Sequence, residues 1–201
     1  MANIKVISVG GGGMSALNHM IESGLTGAEF ISCAFDRFYL EMSKADKKIL
    51  IGKNILRGLD GSTTARSKQA AIDSREEILE TLRGADAVII VAGLGGFDGT
   101  GASPVVASYA KELGALTVAV ASFPFRFEGI KRTERAKTAL KNLSEQADTV
   151  IKIPNDTLLK LVPPKTPMTY AFKIVDKAML QAVRSLIATF QAPFKIDINA
   201  A

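Results

Sequence analysis

Two glycine clusters, each set between an apolar β-branched run and a helical stretch, restrict what this chain can fold into more than any other feature. Gly10-Gly11-Gly12-Gly13 directly follows residues 4–9 (Ile-Lys-Val-Ile-Ser-Val) and opens a helix over residues 16–21 that ends at Gly24. Gly93-Leu94-Gly95-Gly96-Phe97-Asp98-Gly99-Thr100-Gly101 follows residues 87–92 (Ala-Val-Ile-Ile-Val-Ala) and precedes a helix over residues 104–113, with proline in its first turn. A backbone without side chains can approach phosphate oxygens closely and aim several N–H groups at them, and the helix behind it adds the positive end of its dipole. One glycine run is a weak signal that a tight strand–helix turn also explains. Two such runs at the carboxyl ends of parallel strands would face one ligand across the crevice where the strand order reverses. The first run is not a P-loop, because no Gly-Lys-Ser/Thr ending is present, and Ser15 stands where a dinucleotide fingerprint needs its third glycine. Asp36, at the end of the second strand, would serve a ribose in that dinucleotide alternative.

The remaining signals alternate in the same way. Residues 29–35, 116–120 and 149–153 read as strands, and residues 67–82 and 128–146 as helices. The 87–92 run is apolar throughout, as a parallel strand covered on both faces is. This alternation predicts an α/β fold with a doubly wound, mostly parallel sheet. Residues 162–167 (Val-Pro-Pro-Lys-Thr-Pro) should break the chain before a last helix over residues 168–190. Ten apolar positions of that helix, from Phe172 to Phe190, spread over more than one stripe. Such a helix needs cover on two sides, which predicts self-association or a helper chain.

Composition excludes several classes. At 201 residues with 47% hydrophobic and 22% charged content, the chain suits one globular α/β domain rather than a disordered segment. No apolar run reaches the roughly 18 residues that span a bilayer, so no direct membrane insertion is expected and a cytoplasmic location is the default. The net charge of +5 invites a nucleic-acid reading. Lys131, Arg132, Arg135, Lys137 and Lys141, however, spread around a helix interrupted by Glu134 and read as a solvated face, so no nucleic-acid partner is expected. The lone His19 excludes a histidine-rich metal site and reads as a helix-surface residue, Cys33 as a small core residue, and Asp46-Lys47-Lys48 as an exposed charge cluster.

Several stretches carry a resemblance. Residues 4–13, 76–87 (Glu-Glu-Ile-Leu-Glu-Thr-Leu-Arg-Gly-Ala-Asp-Ala), 93–106, 111–120, 124–129 (Pro-Phe-Arg-Phe-Glu-Gly) and 153–156 (Ile-Pro-Asn-Asp) come in the order and at the spacing of the FtsZ family of bacterial tubulin homologues. The chain resembles that family's amino-terminal GTPase domain and central helix, without the second domain its members carry. The resemblance implies a tubulin/FtsZ-type guanine-nucleotide-binding α/β domain over residues 1–166, with residues 167–201 a central-helix-like segment and short tail packed on it. It implies GTP or GDP as ligand. Gly11, Gly12, Gly13 and Ser15 would lie on the phosphates, and Gly95, Gly96, Gly99, Thr100 and Gly101 match the family's signature loop. Glu128 and Arg132 would contact ribose and phosphate, Asn155 and Asp176 would read the guanine edge, and Phe172 would stack on the base. Read without the resemblance, Glu128 and Arg132 are a local i, i+4 pair, Phe172 is core and Asp176 is a solvated helix position.

Departures from the family are specific. Phe97 and Asp98 replace a glycine and a threonine, and the Asp98 carboxylate would repel phosphate unless Mg²⁺ lies between. Residues 58–66 replace an alanine/glycine-rich loop that senses the γ-phosphate, and residues 34–36 keep only the acid of the family's motif. Asp197 matches the first acid of the family's hydrolysis loop, and the second falls on Ala200. Losing a carboxylate that orients the attacking water predicts weak hydrolysis or none. The expectation is an FtsZ-like nucleotide-binding protein that meets itself or a filament subunit through its nucleotide face and central helix. The alternatives are an active GTPase that forms its own polymers and a nucleotide-free interaction module with Phe97 in the phosphate space.

Overall fold

The computed structural model describes residues 2–53, 63–163 and 165–192. In chain order the elements are β1 (Ile4–Val9), α1 (Gly10–Glu22), β2 (Glu29–Ala34), α2 (Arg37–Met42), β3 (Lys47–Leu50), α3 (Thr64–Asp73), α4 (Arg75–Leu82), β4 (Ala87–Gly93), α5 (Asp98–Gly101), α6 (Ser103–Glu112), β5 (Leu116–Phe123), α7 (Ile130–Gln146), β6 (Thr149–Pro154), α8 (Asn155–Leu159) and α9 (Met168–Gln191). The six strands form one sheet in the order β3-β2-β1-β4-β5-β6, and every neighbouring pair is parallel. The strand order therefore reverses between β1 and β4, which run in register from Ile4 opposite Ala87 to Val9 opposite Ala92.

Alternation along the strands sends side chains into two cores. Ile7, Val9, Ile31, Cys33, Val88 and Ile90 meet α3, α4, α6 and α7 on one face. Ile4, Val6, Phe30, Ile89, Val91 and Val120 meet α1 and α9 on the other. Cys33 is buried in mid-strand, and burial pushes its thiol far above its ordinary range.

Lys5 is the exception inside β1. It is only 6% exposed, and its Nζ donates to the carbonyls of Thr81 at 2.6 Å and Arg83 at 3.1 Å, with Glu29 3.4 Å away. The ammonium thus closes the carboxyl end of α4. Lys5→Met keeps the stem and strands both carbonyls, so the urea midpoint should fall by the equivalent of about 2 kcal/mol. An unchanged midpoint would show that water replaces the ammonium there.

The elements differ from the sequence expectations at identifiable points. Gly10 to Gly13 form the first turn of α1 rather than a loop before it. Glycine is a poor helix former, but Gly12 and Gly13 press on β4, and a Cβ on Gly13 would lie 2.3 Å from the Val91 carbonyl oxygen. The helix expected over residues 67–82 is two helices, because Ser74 leaves helical geometry and its Oγ accepts from the Gly52 N–H at 3.1 Å. The one expected from residue 128 starts at Ile130, after a 3-10 turn over Arg126–Glu128 and Gly129 at φ 99°. The charged cluster at residues 46–48 runs into the edge strand β3: Asp46 accepts from the Phe30 N–H and Lys47 pairs with Glu29. Charge on an edge strand is how such edges avoid pairing with other chains, and it hid the strand from an apolar pattern.

The last helix is better covered than its sequence suggests. Val175, Met179, Val183 and Ile187 are buried, while Ala182, Leu186 and Phe190 pack partly against the same core. Of the ten apolar positions only Phe172 counts as exposed, at 39%. The outer face carries Lys173, Lys177, Gln181 and Arg184 instead, all exposed. An uncovered apolar stripe is not what this helix presents.

Candidate functional site

The carboxyl ends of β1 and β4 open into a cleft of about 620 Å³, within the roughly 300–1,000 Å³ usual for ligand pockets. Gly11 and Gly12 line it from the first turn of α1. Amide groups of a first turn find no intrahelical acceptor, and here no side chain caps the helix and no acid stands in that turn. The uncapped positive end of a 13-residue helix therefore borders the cleft.

Beneath it the two glycine clusters touch backbone to backbone. A Cβ on Gly10 would lie 2.6 Å from the Asp98 Cβ, one on Gly12 3.2 Å from the Gly93 Cα, and one on Gly99 2.3 Å from the Gly93 carbonyl oxygen. The second loop is held from several sides. Leu94 N–H donates to Ser122 O at 2.9 Å, Gly95 N–H to Thr100 Oγ1 at 2.8 Å and Ser103 Oγ–H to Gly99 O. Asp98 is buried, and its Oδ2 accepts from the Phe35 N–H at 3.2 Å, tying the loop to the end of β2. Gly96 and Gly99 line the cleft, whereas Gly13, Gly95, Thr100 and Gly101 lie outside its lining. Gly13 backs onto Val91 O and Gly101 onto Thr64 O, each under 2.4 Å from an added Cβ, so these two glycines permit packing.

Farther around the wall stand Ser15, Glu128, Arg132, Asn155, Phe172 and Asp176, drawn from α1, the 3-10 turn, α7, α8 and α9. Glu128 and Arg132 pair at 3.0 Å, and the other Glu128 oxygen accepts from the Phe125 N–H at 2.8 Å. The local pair and the cleft position thus hold together. Phe172 lies edge-on to the Phe125 ring, with centroids 5.3 Å apart, and remains partly exposed. Asn155 is 4% exposed, yet its Oδ1 has no hydrogen-bond partner. A buried acceptor of that kind is costly unless a donor reaches it. Asp176 accepts from the Ser15 hydroxyl at 2.9 Å, across 161 residues of sequence. Burial raises its carboxyl pKa, an effect opposed by the Ser15 hydrogen bond and by His19. A solvated helix position is therefore not where this residue sits.

Sequence reasoning missed Tyr39, Ser122, Pro124 and Arg135, which also line the cleft, and it placed Asp36 in a dinucleotide alternative and as the one acid kept from a family motif. Tyr39 faces Gly11, whose added Cβ would stand 2.8 Å from its ring. Arg135 was hidden among basic residues spread around α7. Phe97 lines the cleft, 42% exposed, with the Arg135 guanidinium 5.2 Å from its ring centroid. Four carboxylates (Asp36, Asp98, Glu128, Asp176) and two guanidiniums (Arg132, Arg135) therefore share the wall. Among the described residues no cluster of three or more His, Cys, Asp or Glu is placed to hold a metal ion, and no helix is long and apolar enough to cross a membrane. Asp197 and residues 58–62 lie outside the described residues.

A parallel sheet with the order 3-2-1-4-5-6, an uncapped helix at its switch point and an unpaired buried acceptor in the same cleft together suit a nucleotide. Comparison with known proteins agrees. The family model described as Tubulin/FtsZ family, GTPase domain, matches residues 3–163, and the chain belongs to that family. Within it the chain is FtsZ-like: it is 46% identical over 199 residues to Cell division protein FtsZ 1 of Pyrococcus horikoshii and 45% identical to the protein of the same name from Pyrococcus abyssi. These alignments cover 98% of this chain but 53% of each relative, so the chain spans about half the length of the curated relatives it matches. A solved FtsZ dimer from M. jannaschii, described as empty, superposes with a TM-score of 0.88 at 40% identity, covering 94% of this chain and 55% of the other. CetZ2 of Haloferax volcanii, solved as a GTPγS-bound protofilament, shares the fold at a TM-score of 0.80 and 22% identity, covering 98% of this chain and 61% of that one. Membership of a GTPase-domain family implies guanine-nucleotide binding.

Proposed function

We propose that the cleft binds GTP or GDP, with Gly11, Gly12 and Ser15 on the phosphates and Gly96, Asp98 and Gly99 on the opposing loop, while Gly13, Gly95, Thr100 and Gly101, which lie outside the cleft lining, hold the two loops in place from behind. Glu128 and Arg132 take the ribose and phosphate side, Asn155 and Asp176 the guanine edge, and Phe172 the face of the base. The observation that carries this reading is the pair of buried or half-buried acceptors, Asn155 Oδ1 and the Asp176 carboxylate, in the cleft that an uncapped helix also borders. Guanine presents N–H donors at N1 and N2, and a purine lacking them leaves Asn155 Oδ1 unpaired and Asp176 with Ser15 as its hydrogen-bond partner, at a cost of roughly 1–3 kcal/mol for each bond not made. When bound, the nucleotide supplies the phosphoanhydride that a GTPase cleaves. This chain's own groups hold and orient it.

Calorimetry of the 201-residue chain with GTP, GDP and ATP, each with and without Mg²⁺, tests the reading. The expected result is guanine over adenine selectivity of at least about tenfold. Equal affinity for ATP, or no heat with any nucleotide, overturns it. Mg²⁺ should strengthen GTP binding through the Asp98 carboxylate, which otherwise repels phosphate.

Acid sensitivity follows from the raised pKa of Asp176. Accepting from guanine needs the ionised carboxylate, so affinity should fall on acidification from a higher pH than an ordinary aspartate would set. Folding stability runs the other way: a raised pKa contributes stability at low pH that is lost as pH rises through it. A pH series of nucleotide affinity for the wild type and Asp176→Asn checks this, the variant being expected to lose that acid limb. A limb identical in both would assign it to another group.

The same reading extends to assembly. The protein hydrolyses GTP weakly or not at all by itself and modulates a filament of FtsZ-like subunits through its nucleotide face and α9. Pelleting with GTP should show no polymer of the chain alone, and GTP-dependent polymers would favour an active, self-assembling GTPase. Phosphate release unchanged by Asp197→Ala would remove that residue from any hydrolytic role. The nucleotide-free alternative requires the Phe97 ring in the phosphate space; its 42% exposure at the wall of an open cleft speaks against that.

A further inference from the structure

Arg135 lies on the second turn of α7, half-buried, on what the sequence presents as a solvated basic face. Its Nε donates to the Gly95 carbonyl at 3.0 Å, and its guanidinium stands 5.2 Å from the Phe97 ring centroid. It shares the cleft wall with Arg132, but the two arginines are not equivalent. Arg132 is committed to the Glu128 carboxylate at 3.0 Å. Arg135 meets a carbonyl and a ring face, and no carboxylate pairs with it among the described residues. A guanidinium with one N–H engaged keeps the rest of its donor fork, permanently charged and shaped for phosphate oxygens. Phe97 limits its rotation, and the Gly95 carbonyl holds its position against the glycine loop. The same loop carries Asp98, a buried carboxylate that accepts from the Phe35 N–H and lines the same cleft.

We propose that Arg135 binds the phosphate chain of the nucleotide, held in place by Phe97 and the Gly95 carbonyl, and that its charge offsets the repulsion introduced by Asp98. The inference rests on the guanine-nucleotide reading of the cleft and adds a phosphate ligand to it. Phe97, bulky in a loop that needs close approach, thereby acquires a use as the platform of this arginine.

The test titrates wild type, Arg135→Gln, Arg135→Lys and Phe97→Leu with guanosine, GDP and GTP. Arg135→Gln should bind GDP and GTP about tenfold more weakly and guanosine as the wild type does, because only the phosphates lose a partner. Arg135→Lys should recover part of the loss by restoring charge, and its GTP affinity should keep a steeper salt dependence than that of Arg135→Gln. Phe97→Leu should weaken GTP and GDP about threefold with guanosine unchanged. Equal weakening of guanosine and GTP would mean that Arg135 only props the loop, and this would overturn the proposal, as would unchanged GTP binding in Arg135→Gln. Failure of the wild type to bind any guanine compound would instead refute the parent reading, so the two failures are distinguishable.

Discussion

Replacing Gly13 with alanine should lower stability by about 3 kcal/mol, the upper end of what overpacking costs, and the melting temperature by roughly 10 °C for a domain of this size. The added Cβ would lie 2.3 Å from the Val91 carbonyl oxygen and 3.2 Å from its carbon. Val91 is wholly buried in β4, with Ser8 on one side and Val120 on the other in register, so its backbone has nowhere to go. Relief must come from moving α1 outward, which also opens the 3.2 Å approach between Gly12 and Gly93. Gly96→Ala is the matched control. Its nearest heavy atom, Arg132 Nη2, is 3.7 Å away, and stability should stay within about 0.5 kcal/mol of wild type. Thermal and urea unfolding of the two variants separate glycines that permit packing from glycines that border the ligand. A Gly13→Ala protein melting with the wild type would show that α1 is not seated on β4 as described.

Asp176→Ala should weaken GTP and GDP binding about 100-fold and bring ATP close to parity with GTP. A carboxylate accepting two charge-assisted hydrogen bonds is worth about 1.5–3 kcal/mol per bond, so losing it costs at least two decades of affinity. Towards the base the Ser15 hydroxyl acts only through that carboxylate, and Ser15→Ala should change the GTP to ATP ratio by only about threefold. Nucleotide calorimetry reads both, and a GTP to ATP ratio unmoved by Asp176→Ala would remove this residue from base recognition. Because Asp176 is half-buried and disfavours its charged form there, the variant should fold at least as stably as the wild type at neutral pH.

Much of this molecule was legible in its residue order. Strands β1, β2, β4, β5 and β6 were expected from short β-branched or apolar runs, and the two glycine clusters marked the switch point before any coordinates. The edge strand β3 was not, since only Ile49 of its four residues is fully buried and its lysines looked like surface. At the site, Ser15, Glu128, Arg132, Asn155, Phe172 and Asp176 were named through the family resemblance and do share one cleft. Tyr39, Ser122, Pro124 and Arg135 were not assigned to it, because their own residue types and spacing do not distinguish a cleft wall from a solvated helix or strand end. The apolar breadth of α9 was read as an uncovered face. In the fold the half-buried residues on its flanks rest on the core, and the lysines and Arg184 take the outside.

By itself the sequence determined the parallel α/β architecture, because periodicity, β-branching and glycine placement act over a few residues and survive without tertiary context, and the order of its motifs carried the resemblance to the family. Only the tertiary structure decided which glycines hold helix against strand and which border the ligand, and whether Arg135 faces water or the cleft. Those outcomes depend on groups far apart in the chain, such as Ser15 with Asp176 or Gly13 with Val91. Closeness of that kind is a property of the packed backbone, and no local pattern encodes it.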